Sequence, residues 1–116
     1  MARKVIGVFF GTYNRLGYGL PEAIYSRGME VGLIRLGLQV AREAPIEVRM
    51  EGELLGEFRA DMIVEDQLIL EFKAGPPLAE GDFLQVMSYL KASNLDIGLL
   101  MHFGPAPRVR RIYRPR

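Results

Sequence analysis

The sequence predicts a mixed α/β protein in which one central sheet is flanked by helices. Apolar residues recur at helical spacing near the start of the chain and again over residues 79–92, and short apolar segments bounded by turn residues lie between and after them. The predicted order is two helices, four strands, one helix and two strands. A length of 116 residues fits one domain that spans positions 1–116.

The first part of the chain is predicted to form two helices. Apolar residues at helical spacing indicate a buried helix over residues 4–13, and Gly17 lies in the loop that follows. Pro21 suits the first turn of a second helix, and Glu22 directly after it suits the positive end of the helix dipole. The pattern continues to Gly37, a residue that commonly ends a helix.

The remaining elements are predicted mainly as strands. Ala44 and Pro45 separate the first two strands, and Glu51 with Gly52 forms a tight turn before the third. An amphipathic helix follows a Gly-Pro-Pro break, and a nearly continuous apolar run then reads as a buried central strand. The predicted strands cover residues 38–40, 46–50, 58–64, 68–72, 97–103 and, at an edge, 109–113.

Composition restricts the kinds of metal site that the chain can build. It has no cysteine and one histidine, His102, which excludes thiolate sites and sites with several histidines. Any metal must then be bound by carboxylates and carbonyls, and these ligands favour Mg²⁺ or Mn²⁺ over Zn²⁺. No apolar stretch approaches the roughly 20 residues of a membrane span, and the start of the chain lacks a signal-peptide pattern. The expected location is therefore the cytoplasm, with no membrane partner.

The end of the chain carries a local positive charge, although the net charge is only +1. Two explanations stay open at about even weight: a surface that faces phosphates, or a solvated terminal strand and tail. The basic residues are Arg108, Arg110, Arg111, Arg114 and Arg116.

The predicted strand over residues 68–73 contains two candidate catalytic residues, Glu71 and Lys73. Alternation sends Leu68, Leu70 and Phe72 into a core, and Glu71 with Lys73 to the opposite face. Asp61 of the preceding strand meets Glu71 only if the hairpin pairs the two, which requires a three-residue loop or a bulge.

Two carboxylates that meet in this way repel each other and readily bind a cation. A divalent cation held by Asp61, Glu71 and the Phe72 carbonyl would polarise a phosphodiester, and Lys73 would position or deprotonate water. On spacing alone, an ordinary ion pair at a sheet end is the commoner explanation.

Two further features are weak by themselves. Glu22 is explained by the helix dipole alone. Gln85 and Tyr89 are four residues apart and share a helix face, where they contact a metal-bound water, a phosphate or simply the core.

Six segments of the chain match, in order, the motifs of a known family. They are GxxExxY at residues 19–25, a Leu-Gly-Leu helix end at 36–38, G-x-[YF]-R-A-D at 56–61, [VL]-E-[LF]-K-A at 70–74, Q-x-x-x-Y-L at 85–90 and G-L-L-x-N-F-G at 98–104. The sequence thus resembles the GxxExxY protein family, which is grouped with the PD-(D/E)xK nuclease-like superfamily. His102 departs from the family's usual asparagine.

The resemblance implies a PD-(D/E)xK, restriction-endonuclease-like core with a mixed central sheet. It implies Asp61 and Glu71 as metal ligands, Lys73 as the catalytic lysine and Glu22 as a supporting carboxylate. Gln85 and Tyr89 would then form the accessory helix motif.

Three functions remain to be weighed. The first is a Mg²⁺-dependent nuclease that acts on DNA rather than RNA, with Arg108, Arg110 and Arg111 binding the nucleic acid. The second is a catalytically silent nucleic-acid-binding or assembly module of the same fold. The third is an oligomer-forming protein with Phe9, Phe10 and Met29 at an interface, although core placement suits these residues better. Because so short a chain has little room for a substrate-reading domain, a dimer or another partner is expected.

Overall fold

The structure, a computed structural model that describes residues 1–115, is a five-stranded mixed sheet with helices on both faces. The predicted fold class is confirmed. The elements in chain order are α1 (Ala2–Leu16), α2 (Glu22–Arg35), β1 (Val40–Met50), β2 (Glu53–Val64), β3 (Leu68–Ala74), α3 (Glu80–Ser93), β4 (Ile97–Phe103) and β5 (Pro107–Tyr113).

The strands lie side by side in chain order, from β1 at one edge to β5 at the other. Neighbouring strands are antiparallel except β3 and β4, which run parallel. A parallel pair needs a crossover connection, and α3 provides it. This crossover brings α3 onto one face of the sheet, while α1 and α2 pack on the other.

Alternation along the strands divides the core into two layers. Leu68, Leu70 and Phe72 pack against α1 and α2, as the sequence predicted, whereas Ile69 packs against α3. The large core on the first face also takes up Phe9 and Met29, which are fully buried, so these two residues are core and not interface.

The first strand corrects the prediction of two separate strands before Glu51. A single strand, β1, runs through Ala44 and Pro45, and Pro45 pairs with Arg59 of β2. Proline interrupts a strand less at a sheet edge, where one side has no partner strand that needs its missing N–H. Within this continuous strand Glu43 has a φ of 47° and is skipped in the pairing with β2, and the register shifts between Val48 and Arg49.

Both N-terminal helices end at residues that sterics favour. Gly37 follows α2 with a φ of 80°, and the amide of Leu38 donates to the Leu33 carbonyl, 3.2 Å away. The predicted stop at Gly37 is therefore confirmed. Within residues 1–115, every helix is too short or too polar to cross a membrane.

Candidate active site

The β2–β3 hairpin brings Asp61 towards Glu71. Val64 pairs with Leu68 and Met62 with Leu70, which leaves residues 65–67 as a three-residue loop. One further step in this register sets Asp61 opposite Glu71. A three-residue loop is the length that the sequence analysis requires if the side chains of Asp61 and Glu71 are to face each other.

Where Asp61 faces Glu71, carboxylate oxygens of these two side chains accept hydrogen bonds from backbone amides of the opposite strand. The Asp61 amide donates to Glu71 Oε1 at 2.8 Å, and the Phe72 amide donates to Asp61 Oδ2 at 2.7 Å. Hydrogen bonds from amides to carboxylates are stronger than those between neutral groups. The two bonds therefore fix both carboxylates in place at the end of the pairing.

Glu71 is almost fully buried, with 4% of its surface exposed. Burial, and next the charge of Asp61, raise the pKa of Glu71 to about 8, although the Asp61 amide and Lys73 act in the opposite direction. Burial also raises the pKa of Asp61, against the stabilising effect of the Phe72 amide and Lys73. The nearby positive charge therefore does not fully offset the effect of burial on Asp61 and Glu71.

Lys73 supplies part of that charge. Its Nζ lies 3.9 Å from Glu71 Oε2 and 3.7 Å from Asp82 Oδ1. Asp82 also accepts a hydrogen bond from the Ala79 amide at 2.8 Å, which caps the start of α3. Asp82 was missed from the sequence, where an acid three residues after a helix N-cap suggests only capping.

Glu22 lies in the first turn of α2, and the charges of Asp61 and Lys73 both affect its pKa. Partial loss of hydration, and then the charge of Asp61, raise the pKa of Glu22, while Lys73 lowers it. The loop before Glu22 is held by Tyr25, whose hydroxyl donates to the Gly17 carbonyl and accepts from the Leu20 amide. The structure thus brings this carboxylate near the pair on β2 and β3.

Two side chains of α3 complete the surroundings. Tyr89 is buried against Phe58, with ring centroids 5.2 Å apart. Burial, and next the charges of Glu71 and Asp61, raise the pKa of Tyr89 to about 12, and Gln85 acts in the opposite direction. Tyr89 therefore lies near the carboxylates, and Gln85 interacts with Tyr89 from the helix face that the sequence predicts the two residues share.

A fifth acid lies near the site, and like Asp82 it is not predicted from the sequence. Glu43 is the residue that the β1–β2 register sets opposite Asp61, and its charge raises the pKa of Asp61. Its side chain is exposed and its backbone is left-handed. No sequence signal marks an irregularity at this position of the strand.

The structure divides the basic residues near the end of the chain. On β5, Arg110 pairs with Leu100, which belongs to the core under α3, and Arg111 pairs with Leu99, which belongs to the core under α1 and α2. Arg108 shares the α3 face with Arg110. Arg111 projects to the opposite face, so these residues do not form one patch.

Arg114 is paired elsewhere. Arg114 forms an ion pair with Asp96 at 2.9 Å. Arg116 lies outside the described residues.

A divalent cation is the group that the carboxylate pair fits best. Within residues 1–115, no three Asp, Glu, His or Cys side chains form a ready-made metal cluster. Mg²⁺, however, often takes only one or two protein carboxylates and keeps several waters. Burial raises the pKa of both Asp61 and Glu71, a nearby cation would favour their charged forms, and their oxygen atoms match the preference of Mg²⁺ and Mn²⁺.

A family model described as the PD-(D/E)XK nuclease superfamily matches residues 1–113. The crystal structure of SSO0001 superimposes with a TM-score of 0.60 at 21% identity, over 81% of this chain and 50% of that one. An alkaline exonuclease, LHK-Exo from Laribacter hongkongensis, superimposes with a TM-score of 0.50 at 13% identity, over 80% of this chain and 55% of that one.

These two likenesses concern the fold, since both identities are low. The chain spans about half the length of each of the two solved structures. None of the curated proteins compared matches the sequence.

Proposed function

Because this chain belongs to the PD-(D/E)XK nuclease superfamily, we propose that it is a nuclease that hydrolyses phosphodiester bonds of DNA with Mg²⁺ or Mn²⁺. One observation carries the proposal. The half-buried Asp61 and the buried Glu71, two carboxyl groups with raised pKa values, are held by backbone amides next to Lys73. Nucleases of this superfamily generally use divalent metals, and the carboxylate pair provides suitable ligands.

In this proposal Asp61, Glu71 and the Phe72 carbonyl hold the cation. When bound, a divalent cation polarises the phosphoryl group and makes water a better nucleophile at neutral pH. The backbone amides that bind Asp61 and Glu71 keep their oxygens oriented before any ligand arrives. This preorganisation reduces the rearrangement needed for binding.

Lys73 acts on the water and on the phosphate. Its ammonium lies beside the Glu71 carboxyl group, where it orients the attacking water and offsets negative charge on the phosphate. Glu22 adds a carboxylate from α2. Gln85 and Tyr89 flank the pair from α3 and offer polar contacts to water or phosphate.

DNA rather than RNA, and the narrower GxxExxY family, are also proposals. The family proposal is supported by Tyr25, whose hydroxyl orders the loop that leads to Glu22. A dimer is proposed as well. Met50, Leu54 and Leu55 expose apolar surface at the end of the β1–β2 hairpin, and light scattering on the purified protein measures the mass directly.

A silent nucleic-acid-binding module is the second candidate. It is favoured by the lack, within residues 1–115, of a ready-made cluster of three metal-binding side chains. In that case Arg108 and Arg110 would carry binding, and the loss of Asp61 or Glu71 would leave it unchanged.

Cleavage assays separate the two candidates. End-labelled single-stranded, double-stranded and branched DNA, and RNA, are incubated with the protein in Mg²⁺, in Mn²⁺ and in EDTA. The nuclease proposal expects cleavage of at least one DNA that EDTA stops. Binding without cleavage of every substrate in both metals would instead support the silent module.

A further inference from the structure

A cavity lies beside the carboxylate site, between the start of α3 and the edge strand β5. Its volume is about 450 Å³, within the usual range for small-ligand pockets. Its lining includes Leu78, Phe83, His102, Ala106, Arg108 and Arg110.

The cavity adjoins the proposed catalytic centre through the sheet. Lys73 of β3 pairs with His102 of β4, and His102 pairs with Arg108 of β5. Two interstrand spacings of about 4.8 Å separate the backbone of Lys73 from that of Arg108 by roughly 10 Å. One polynucleotide strand can therefore contact both places.

The walls of the cavity combine an aromatic ring with positive charge. The Arg110 guanidinium carbon lies 5.9 Å from the centroid of the Phe83 ring, a cation–π distance. Leu78 adds apolar surface, and Arg108 on the same face adds a second guanidinium. Asp82, the residue before Phe83 on α3, carries a negative charge. Its Oδ1 lies 3.7 Å from the Lys73 ammonium, and the positive charge of Lys73 offsets the negative charge of Asp82.

His102 leaves one polar atom in this wall without a partner. Its Nε2 lies 3.1 Å from the Gly75 carbonyl, which can only accept, so Nε2 carries the hydrogen. Within residues 1–115, the buried Nδ1 has no hydrogen-bond partner. Because this atom is buried, His102 contributes its ring to the wall and no acceptor to a bound base.

We propose that this cavity binds an unpaired nucleotide next to the phosphodiester that is cut, an inference that rests on the proposed nuclease function. Phe83 and Arg110 stack on the base, and Arg108 faces the phosphate. Stacked bases inside a duplex present no free face to Phe83, whereas single strands do. The substrate of this site is therefore DNA with a single-stranded segment at the cut.

Binding in EDTA tests the cavity without cleavage. Fluorescence anisotropy compares a labelled single-stranded oligonucleotide with the blunt duplex of the same sequence. We expect at least about tenfold tighter binding of the single strand. We expect Phe83→Leu and Arg110→Ala to weaken that binding about fivefold or more, because stacking contributes about that much for each base.

Two matched variants separate the cavity from a general basic or apolar surface. Arg111→Ala removes the same charge from the opposite face of β5, and Leu84→Ala removes an exposed apolar side chain next to Phe83. We expect each to change binding less than twofold. Phe83→Leu retains most of the apolar volume, and thermal denaturation verifies its fold.

Three results would overturn the cavity proposal. They are equal binding of duplex and single strand, equal losses for Arg110→Ala and Arg111→Ala, or full single-strand binding by Phe83→Leu. Wild-type cleavage in Mg²⁺ is measured in parallel. If cleavage persists in any of these cases, the nuclease proposal stands without the cavity, and if wild type neither binds nor cleaves, both fail.

Discussion

The backbone amide of Asp61 donates a hydrogen bond to Glu71 Oε1, 2.8 Å away, so each of the two facing residues helps to position the other. The Phe72 amide in turn binds Asp61 Oδ2. Asp61 Oδ1 and Glu71 Oε2 take no part in these two bonds. Two acidic groups are thus held side by side where burial disfavours their charged forms, and this leads to the first two predictions.

The stability of the metal-free protein is expected to fall as pH rises. The pKa of Glu71 is about 8 in the folded state and has its ordinary value, near 4.5, in the unfolded chain, so the folded state retains a proton that the unfolded state loses. The stability that this proton confers is complete below pH 4.5 and disappears as pH rises through 8. Glu71→Gln, which mimics the protonated form, should have a flatter profile.

Thermal denaturation in EDTA at pH 5, 7 and 9 measures this difference. Glu57→Gln, an exposed glutamate on β2, is the control and should keep the wild-type profile. Parallel profiles for wild type and Glu71→Gln would show that Glu71 does not take up the proton.

Divalent metal is expected to stabilise the protein through Asp61. A ligand at 100 times its Kd adds about 2.7 kcal/mol to the free energy of unfolding, which raises the Tm of a domain of this size by several degrees. Saturating Mn²⁺ should do so for wild type and for Asp66→Asn in the exposed β2–β3 loop. It should do so much less for Asp61→Asn, which retains an acceptor for the Phe72 amide. Equal shifts in all three proteins would remove Asp61 from the metal site.

Lys73→Met is expected to separate chemistry from metal binding. Because a positioned acid–base group contributes about 10²- to 10⁴-fold, cleavage should fall at least 100-fold, while the Mn²⁺-induced rise in Tm persists. The control is Lys91→Met at the exposed end of α3, which should cleave like wild type. Cleavage by Lys73→Met within a factor of three of wild type would contradict the role of this lysine.

Much of the site was predictable because strand alternation is strict. The apolar run at residues 68–72 fixed which side chains enter the core, and the need for Asp61 to meet Glu71 fixed the loop length. Alternation alone would also have separated Arg110 from Arg111, which the sequence reasoning grouped together. In contrast, the ion pair between Lys73 and Asp82 depends on how α3 crosses the sheet, and local spacing does not contain that information.

The error in β1 has a similar origin. Ala44 and Pro45 carry a local turn signal, but whether proline interrupts a strand depends on its position in the sheet. The edge position of β1 follows from the pairing of all five strands.

Tyr25→Phe is expected to loosen the loop that precedes Glu22. The variant retains the ring, which stacks on Phe103 at 4.1 Å, but loses the hydroxyl that binds Gly17 and Leu20. Urea denaturation should show a loss of about 1–3 kcal/mol, since partners of a buried hydroxyl are left unpaired. Tyr18→Phe, at an exposed tyrosine, should lose less than about 0.5 kcal/mol. Equal stability of the two variants would mean that the Tyr25 hydroxyl is not needed to hold the loop.

The most direct test of a divalent-cation site at Asp61 and Glu71 is anomalous scattering from crystals soaked in Mn²⁺. The proposed site predicts an anomalous peak between the two carboxylates in wild-type crystals and none in crystals of Asp61→Asn. A saturating soak without a peak between Asp61 and Glu71 would contradict the central claim.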